Sequence, residues 1–301
     1  MGSRLTVNRR VSKVRVADFS GGDATPPSPT PHSATVDTRA DCLAVEEPLQ
    51  IRVDGVDFTT TMRTPGHDFE LVHGLLHAEG VIRSREDVLT MRYCAGAVGP
   101  LGENTYNTID VALRGGAQRG VLPQGHPVEL PLTARNVVTT SACGICGTTS
   151  IEDLVKRRRF PIRPVRPTPE LVVSLPERIR GAQKAFRRTG GIHAAGAVTA
   201  DGDVLLVRED VGRHNAADKV IGALLMEDRL PAETLYLVMT SRASFELVQK
   251  AVLAGFSGLV AVSAATSLAV DLARETGLLL TGFTRGDRFN LYSGQLADSS
   301  L

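Results

Sequence analysis

The residues best suited to chemistry are two cysteines separated by two positions. Cys143, Gly144, Ile145 and Cys146 stand inside a run of small and hydroxylated residues, NVVTTSACGICGTTS, covering Asn136–Ser150. A cysteine reacts as an accessible thiolate. Gly144 and Gly147 let the backbone expose both sulfurs and turn amides toward them. Such a pair can carry or exchange sulfur. It can also supply half of a zinc tetrahedron, form a thioredoxin-type disulfide, or be a turn with inert thiols. The zinc reading has no second CxxC, and its other half would have to come from Cys42, Cys94 or a distant His. The disulfide reading lacks the aromatic-rich strand and helix start that accompany that motif. Cys42 and Cys94 fall in strand-like segments and are expected to be inert small hydrophobes.

A second constellation is REDVGRHNAADK, Arg208–Lys219. Glu209, Asp210, Arg213, His214, Asn215, Asp218 and Lys219 crowd around Gly212, where a strand pattern gives way to a helix pattern. They read either as an ion-pair network at that junction or as a polar site at a strand's C-terminal edge. A third set comprises Thr240–Arg242, Ser263–Ser267 and the stretch Phe283, Thr284, Arg285, Gly286, Asp287 and Arg288, each following a short apolar run. Hydroxyls, helix N-terminal amides and the guanidinia of Arg242, Arg285 and Arg288 suit a ligand bearing a diphosphate.

The elements that must position these groups follow from periodicity. Leu49–Val53 alternates, Asp54–Gly55 turns, and Val56–Met62 continues, which predicts a hairpin. Asp68–Glu79 carries Phe69, Leu71, Val72, Leu75 and Leu76 at helical spacing and ends at Gly80. Asn107–Leu113 reads as a strand. Glu170–Arg188 reads as one helix, with Leu171, Leu175, Ile179, Ala182 and Phe186 on one face. Asp201–Gly202 marks a second hairpin. The apolar runs Leu235–Met239, Leu259–Val262 and Leu278–Phe283 then alternate with amphipathic helices at Asn215–Met226, Ser244–Ala254 and Ser267–Thr276. That order predicts a parallel sheet covered on both faces, whose strand ends share one edge.

The reading divides the chain into an arm (1–35), an N-terminal α+β domain (36–135), a flexible CxxC loop and linker (136–169) and a C-terminal α/β domain (170–295). The arm is expected to be disordered, because residues 20–33 are rich in Pro, Gly, Ser and Thr.

With 301 residues, 42% of them hydrophobic, the chain can bury one or two cores. A formal net charge of +1 and the absence of Trp argue against a broad nucleic-acid surface. Glycine, serine and threonine punctuate the uncharged stretch between Lys250 and Asp271, which predicts helix end, turn, strand and helix start rather than a membrane span. Met1–Arg10 has no apolar region of signal-peptide type. Four cysteines are too few for a disulfide scaffold and point to a reducing cytoplasm.

Several motifs in order carry a specific resemblance. LAVEEPL at Leu43–Leu49, TMRTPG at Thr61–Gly66, the Cys-Gly-x-Cys-Gly loop, EDVGRHNAADK, TSRASFELVQK, SLAVDLA and FTRGDR together resemble the FdhD family, the formate dehydrogenase accessory sulfurtransferases. The resemblance runs from about Ala40 to Tyr292. It departs at Ala265, where the family has Pro, at Thr240–Ser241 and at Asp287, where it has Gly. The resemblance implies a cytidine-deaminase-like three-layer fold for the C-terminal domain. It implies sulfur accepted as a persulfide from a cysteine desulfurase and passed to the bis-molybdopterin guanine dinucleotide molybdenum cofactor, a bound substrate here, for formate dehydrogenase. It places the persulfide on Cys143 with Cys146 as companion, and the cofactor on Phe283–Arg288. No dedicated metal site is implied, because the Pro-Cys-x-x-Cys half of the zinc-deaminase signature is missing, with Ala142 standing before Cys143. A homodimer is expected by analogy with deaminase-like folds. The competing readings are a cofactor carrier without sulfur chemistry and a zinc-dependent hydrolase of deaminase type.

Overall fold

The computed structural model describes residues 5–16, 34–94, 106–115, 138–139, 151, 154–155 and 158–297. The CxxC loop and the Pro-rich stretch 20–33 lie outside these. The arm read as disordered has regular structure in part. Strand β1 (Thr6–Val16) pairs antiparallel with β2 (Ala34–Ala44) over 11 residues with no register shift, forming a separate two-stranded ribbon. Arg4–Asp18 alternates weakly in sequence and reads either as a strand or as part of the arm; residues 6–16 of it form β1. β2 also crosses the boundary expected at residues 35 and 36.

β3 (Glu47–Val53) and β4 (Val56–Arg63) form the expected hairpin. Asp54 and Gly55 both have positive φ (49° and 81°), which matches the strand twist. β5 (Val88–Tyr93), β6 (Thr108–Leu113) and β7 (Val138–Thr139) complete a five-stranded sheet, ordered β5-β6-β3-β4-β7. Helix α1 (Asp68–Ala78) lays Leu71, Val72 and Leu76 on Leu49, Ile51, Ile109 and Val111 of that sheet.

The Glu170–Arg188 helix is in fact two, α2 (Pro169–Arg180) and α3 (Lys184–Thr189). The break falls at Gly181–Gln183. Ala182 and Phe186 are consequently exposed rather than on the buried face, while Leu175 and Ile179 are buried as expected.

The remaining elements are β8 (His193–Thr199), β9 (Val204–Asp210), α4 (Arg213–Met226), β10 (Leu235–Met239), α5 (Phe245–Leu253), β11 (Gly258–Ala261), α6 (Ser267–Thr276), β12 (Leu279–Arg285) and β13 (Arg288–Ser293). They build a six-stranded sheet ordered β13-β12-β11-β10-β8-β9. The expected parallel core is present: β10 pairs parallel with β11, and β11 with β12. The flanking strands are antiparallel, so the sheet is mixed. Both faces are apolar for a visible reason. Leu237 and Met239 pack toward α4–α6, whereas Tyr236 and Val238 meet Leu175 and Ile179 of α2.

The two sheets are joined through α1 and α4. A Cβ at Gly74 would collide with the Asp218 carbonyl, and one at Gly222 with the Glu70 carbonyl. Two glycines thus let the helix backbones touch where side chains would hold them apart. Leu225 of α4 completes the core under the five-stranded sheet.

Candidate functional site

The sheet topology gathers the polar segments on one edge. β10, β11 and β12 run in the same direction, so their C-terminal ends coincide. β8 is antiparallel to β10 and β9 to β8, which brings the start of β8 and the end of β9 to that edge; His193 stands opposite Asp210. Backbone hydrogen bonds then stitch the loops together. The Ser263 N–H donates to the Ser241 carbonyl (3.4 Å), Ala243 to Ala264 (2.9 Å), and Phe283 to Ser263 (3.0 Å). Helices α4, α5 and α6 all begin here, at Gly212, Ser244 and Thr266, none of which makes a side-chain cap bond. Their first-turn amides and positive dipole ends point to the edge.

The Phe283–Arg288 stretch is a hairpin end rather than a bare strand end, because β12 turns at Gly286–Asp287 into β13. Phe283 has φ 53° and is 39% exposed. A bulky residue held in the left-handed region and turned to solvent marks stored strain. Thr284 is buried, its hydroxyl 3.1 Å from that of Thr281. Arg285, Asp287 and Arg288 are exposed.

The REDVGRHNAADK segment divides between both of its readings. Asp210, Asn215 and Lys219 are buried and structural. The Lys219 ammonium lies 2.6 Å from the Asp210 carboxylate and also donates to the Thr64 carbonyl (2.9 Å). Asp210 accepts from the N–H groups of Thr64 (3.1 Å) and Gly212 (2.8 Å) and from Asn215 Nδ2 (3.1 Å). Asn215 donates to the Met62 carbonyl (2.7 Å) and accepts from the Thr61 hydroxyl (3.2 Å). The TMRTPG and EDVGRHNAADK motifs are therefore two halves of one buried network that locks the end of β4 onto the start of α4. Glu209 is also structural, accepting from the Ala185 and Phe186 amides at the start of α3.

Arg213 and His214 face a different environment. Arg213 is held below the usual arginine range by burial and then by the Arg242 guanidinium, with Glu246 opposing. Its Nε is buried and has no partner among the described residues. His214 Nε2 lies 3.3 Å from the Ser244 hydroxyl and 3.8 Å from Glu246. Burial works to raise the Glu246 carboxyl, but its own amide, Ser244, His214 and Arg213 together hold it low. Burial and then the Arg213 charge push His193 below the ordinary imidazole value. The sequence puts Arg213 and His214 in the constellation read either as an ion-pair network or as a polar site, and it takes neither His193 nor Glu246 as a site residue. Their position, within the first residues of a helix or strand at the shared edge, was the available signal. The whole edge offers guanidinia, helix amides and an exposed aromatic ring, a set that suits an anionic ligand with a flat base.

Cys143 and Cys146 lie outside the described residues. Cys42 and Cys94 are half-buried rather than in the core.

Comparison with known proteins matches residues 44–297 to the FdhD/NarQ family. A sulfur carrier protein FdhD from Corynebacterium efficiens is 59% identical over 263 residues, 87% of this chain and 92% of that one. One from Streptomyces coelicolor is 50% identical over 296 residues, 97% and 95% of the two chains. One from Mycobacterium tuberculosis is 49% identical over 260 residues, covering 85% and 91%. A solved structure assigned as a formate dehydrogenase accessory protein, from Desulfotalea psychrophila, superposes with a TM-score of 0.66. It is 19% identical and covers 96% of this chain and 97% of its own, a likeness of fold.

Proposed function

This chain belongs to the FdhD/NarQ family, and from that premise we propose that it is a sulfurtransferase serving formate dehydrogenase through Cys143. The Cys143 thiolate attacks the outer sulfur of a cysteine desulfurase persulfide. The S–S bond breaks, the desulfurase thiolate leaves, and Cys143 carries the sulfur as a persulfide. Attack by Cys146 on the inner sulfur then releases the outer one as sulfide and leaves a disulfide, so the cysteine pair supplies the two electrons. The recipient is the bis-molybdopterin guanine dinucleotide cofactor, bound as substrate with its guanine dinucleotide arms at Phe283–Arg288.

The observation that carries this reading is the shared edge. Arg213, Arg242, Arg285 and Arg288 and three helix starts without side-chain caps lie along the same sheet edge as the exposed Phe283. Guanidinia and amides suit diphosphates, and the ring suits a purine face. The α/β/α layering of the six-stranded sheet fits the deaminase-like description without its chemistry. A reducing cytoplasm is the compartment that a free cysteine pair needs.

The test is complementation of cells lacking the native gene. Cys143→Ala should leave formate dehydrogenase inactive while the purified variant still binds GDP. Full enzyme activity with that variant would replace the sulfurtransferase with a plain cofactor carrier.

A further inference from the structure

His214 is the second residue of α4, and its side chain is only 17% exposed. It stands where α4 and α5 begin together, Nε2 lying 3.3 Å from the Ser244 hydroxyl and 3.8 Å from Glu246. The charged groups around it come from every neighbouring segment. Arg213 precedes it on α4, Glu246 is on α5, Arg242 lies just before the Ser244 N-cap, and His193 opens β8. Arg213 feels both Arg242 and Glu246, and His193 feels Arg213, so these groups share one field. α1 packs antiparallel along α4, Gly74 against Asp218 and Glu70 against Gly222, and ends toward this corner with His77 and Glu79. Burial and then the Lys250 and Arg159 charges keep His77 neutral. Asp210, the acid that His193 also feels, is already paired with Lys219. Two guanidinia and two imidazoles thus stand against Glu246. Arg213 Nε is moreover buried without a partner among the described residues. A buried donor left unpaired costs about 1–3 kcal/mol, which an incoming acceptor recovers.

We propose that His214 binds the diphosphate of the nucleotide arm and takes up a proton as it does so, with Arg213 beside it and the base on Phe283. The spacing suits this division. β10, which leads to Ser244, is two places from β12, which leads to Phe283. Neighbouring strands lie about 4.8 Å apart, so the two poles are separated by roughly 10 Å along the edge. That is the reach of a nucleoside diphosphate from its base to its terminal phosphate. Glu246 fits the same picture. Burial opposes its charge, but its own amide, Ser244, His214 and Arg213 keep it ionised, and it faces the Nε2 of His214 as a partner for the protonated ring. A neutral imidazole adds little to the guanidinia, whereas an imidazolium adds both a charge and a second N–H donor. The bound anion raises the affinity of His214 for its proton. The extra binding is therefore complete below the free-state pKa and is lost as pH rises through the bound-state one. This inference rests on the nucleotide reading of the edge and says which end of the ligand lies where.

Calorimetry of the full chain with GDP, from about pH 5.5 to 8.5, tests it. Two buffers of different ionisation enthalpy count the protons taken up. The terminal phosphate of GDP titrates near pH 6 and works in the opposite direction, so the comparison is with His214→Gln, in which only the ligand titrates. Gln keeps an N–H for the Ser244 hydroxyl, which protects the fold. At the acid end the variant should bind GDP about tenfold more weakly than the wild type, and at the alkaline end the two should converge. Proton uptake seen with the wild type should be missing from the variant. Guanosine, which has no phosphate, should bind both chains equally. The same pH profile and proton count in both chains, or guanosine weakened as much as GDP, would overturn the role given to His214 and leave the nucleotide reading standing. A wild type that binds GDP at no pH would remove that reading, and this inference with it.

Discussion

Replacing Lys219 with Met tests whether the buried network holds the two sheets together. The side chain is 1% exposed and its Asp210 partner 0%. Methionine keeps most of the stem volume but deletes the 2.6 Å ion pair and the bonds to the Thr64 and Glu209 carbonyls (2.9 and 3.3 Å). Asp210 is then a buried carboxylate without a cation, at a cost of about 3–5 kcal/mol. Three N–H donors remain on it, from Thr64, Gly212 and Asn215. They stabilise the charge, so the loss should fall at the lower end, about 3 kcal/mol. Adding Asp210→Asn removes the stranded charge, and the double variant should be more stable than Lys219→Met alone by about 1 kcal/mol or more. Urea unfolding at pH 7 reads both differences from the transition midpoints. A loss under about 1 kcal/mol for Lys219→Met, or a double variant weaker than the single, would refute the structural role given to this network.

Two further outcomes are expected. Arg285→Ala should weaken GDP binding by about 1–3 kcal/mol in calorimetry, the range of a charge-assisted hydrogen bond, while Cys143 still loads sulfur; unchanged GDP affinity would misplace the ligand. His77, held neutral at a pKa of about 4 by burial and then by the Lys250 and Arg159 charges, contributes stability that is present above its unfolded value of 6.5 and lost as pH falls toward 4. Between pH 7.5 and 5 that loss is about 2 kcal/mol, and urea titrations of His77→Gln should show a pH slope smaller by that amount.

Much of the fold was legible because local rules and tertiary structure agreed. The Asp54–Gly55 turn needed no context, and the short doubly apolar runs at Leu235–Met239 and Leu259–Val262 could only be strands covered on both faces. The Lys250–Asp271 stretch resolved as expected into the end of α5, β11 and the start of α6. The failures share a cause. Periodicity could not tell that Gly181–Gln183 breaks a helix whose apolar spacing continues past it. The ribbon was missed because β2 buries almost nothing, so no alternation records its pairing. At the site, the converging strand ends followed from the parallel order. The division of REDVGRHNAADK did not, because the partner of Asp210 and Asn215 is the TMRTPG segment about 150 positions earlier. No spacing rule connects segments that far apart.

Whether Cys143 carries transferable sulfur can be read by intact mass spectrometry. The purified chain is incubated with a cysteine desulfurase and cysteine, then weighed with and without reductant. Mass additions in steps of one sulfur atom are expected, removed by reductant, absent in Cys143→Ala and present in Cys42→Ala and Cys94→Ala. A wild type that gains no sulfur, or a Cys143→Ala chain that gains as much as the wild type, would contradict the sulfurtransferase reading.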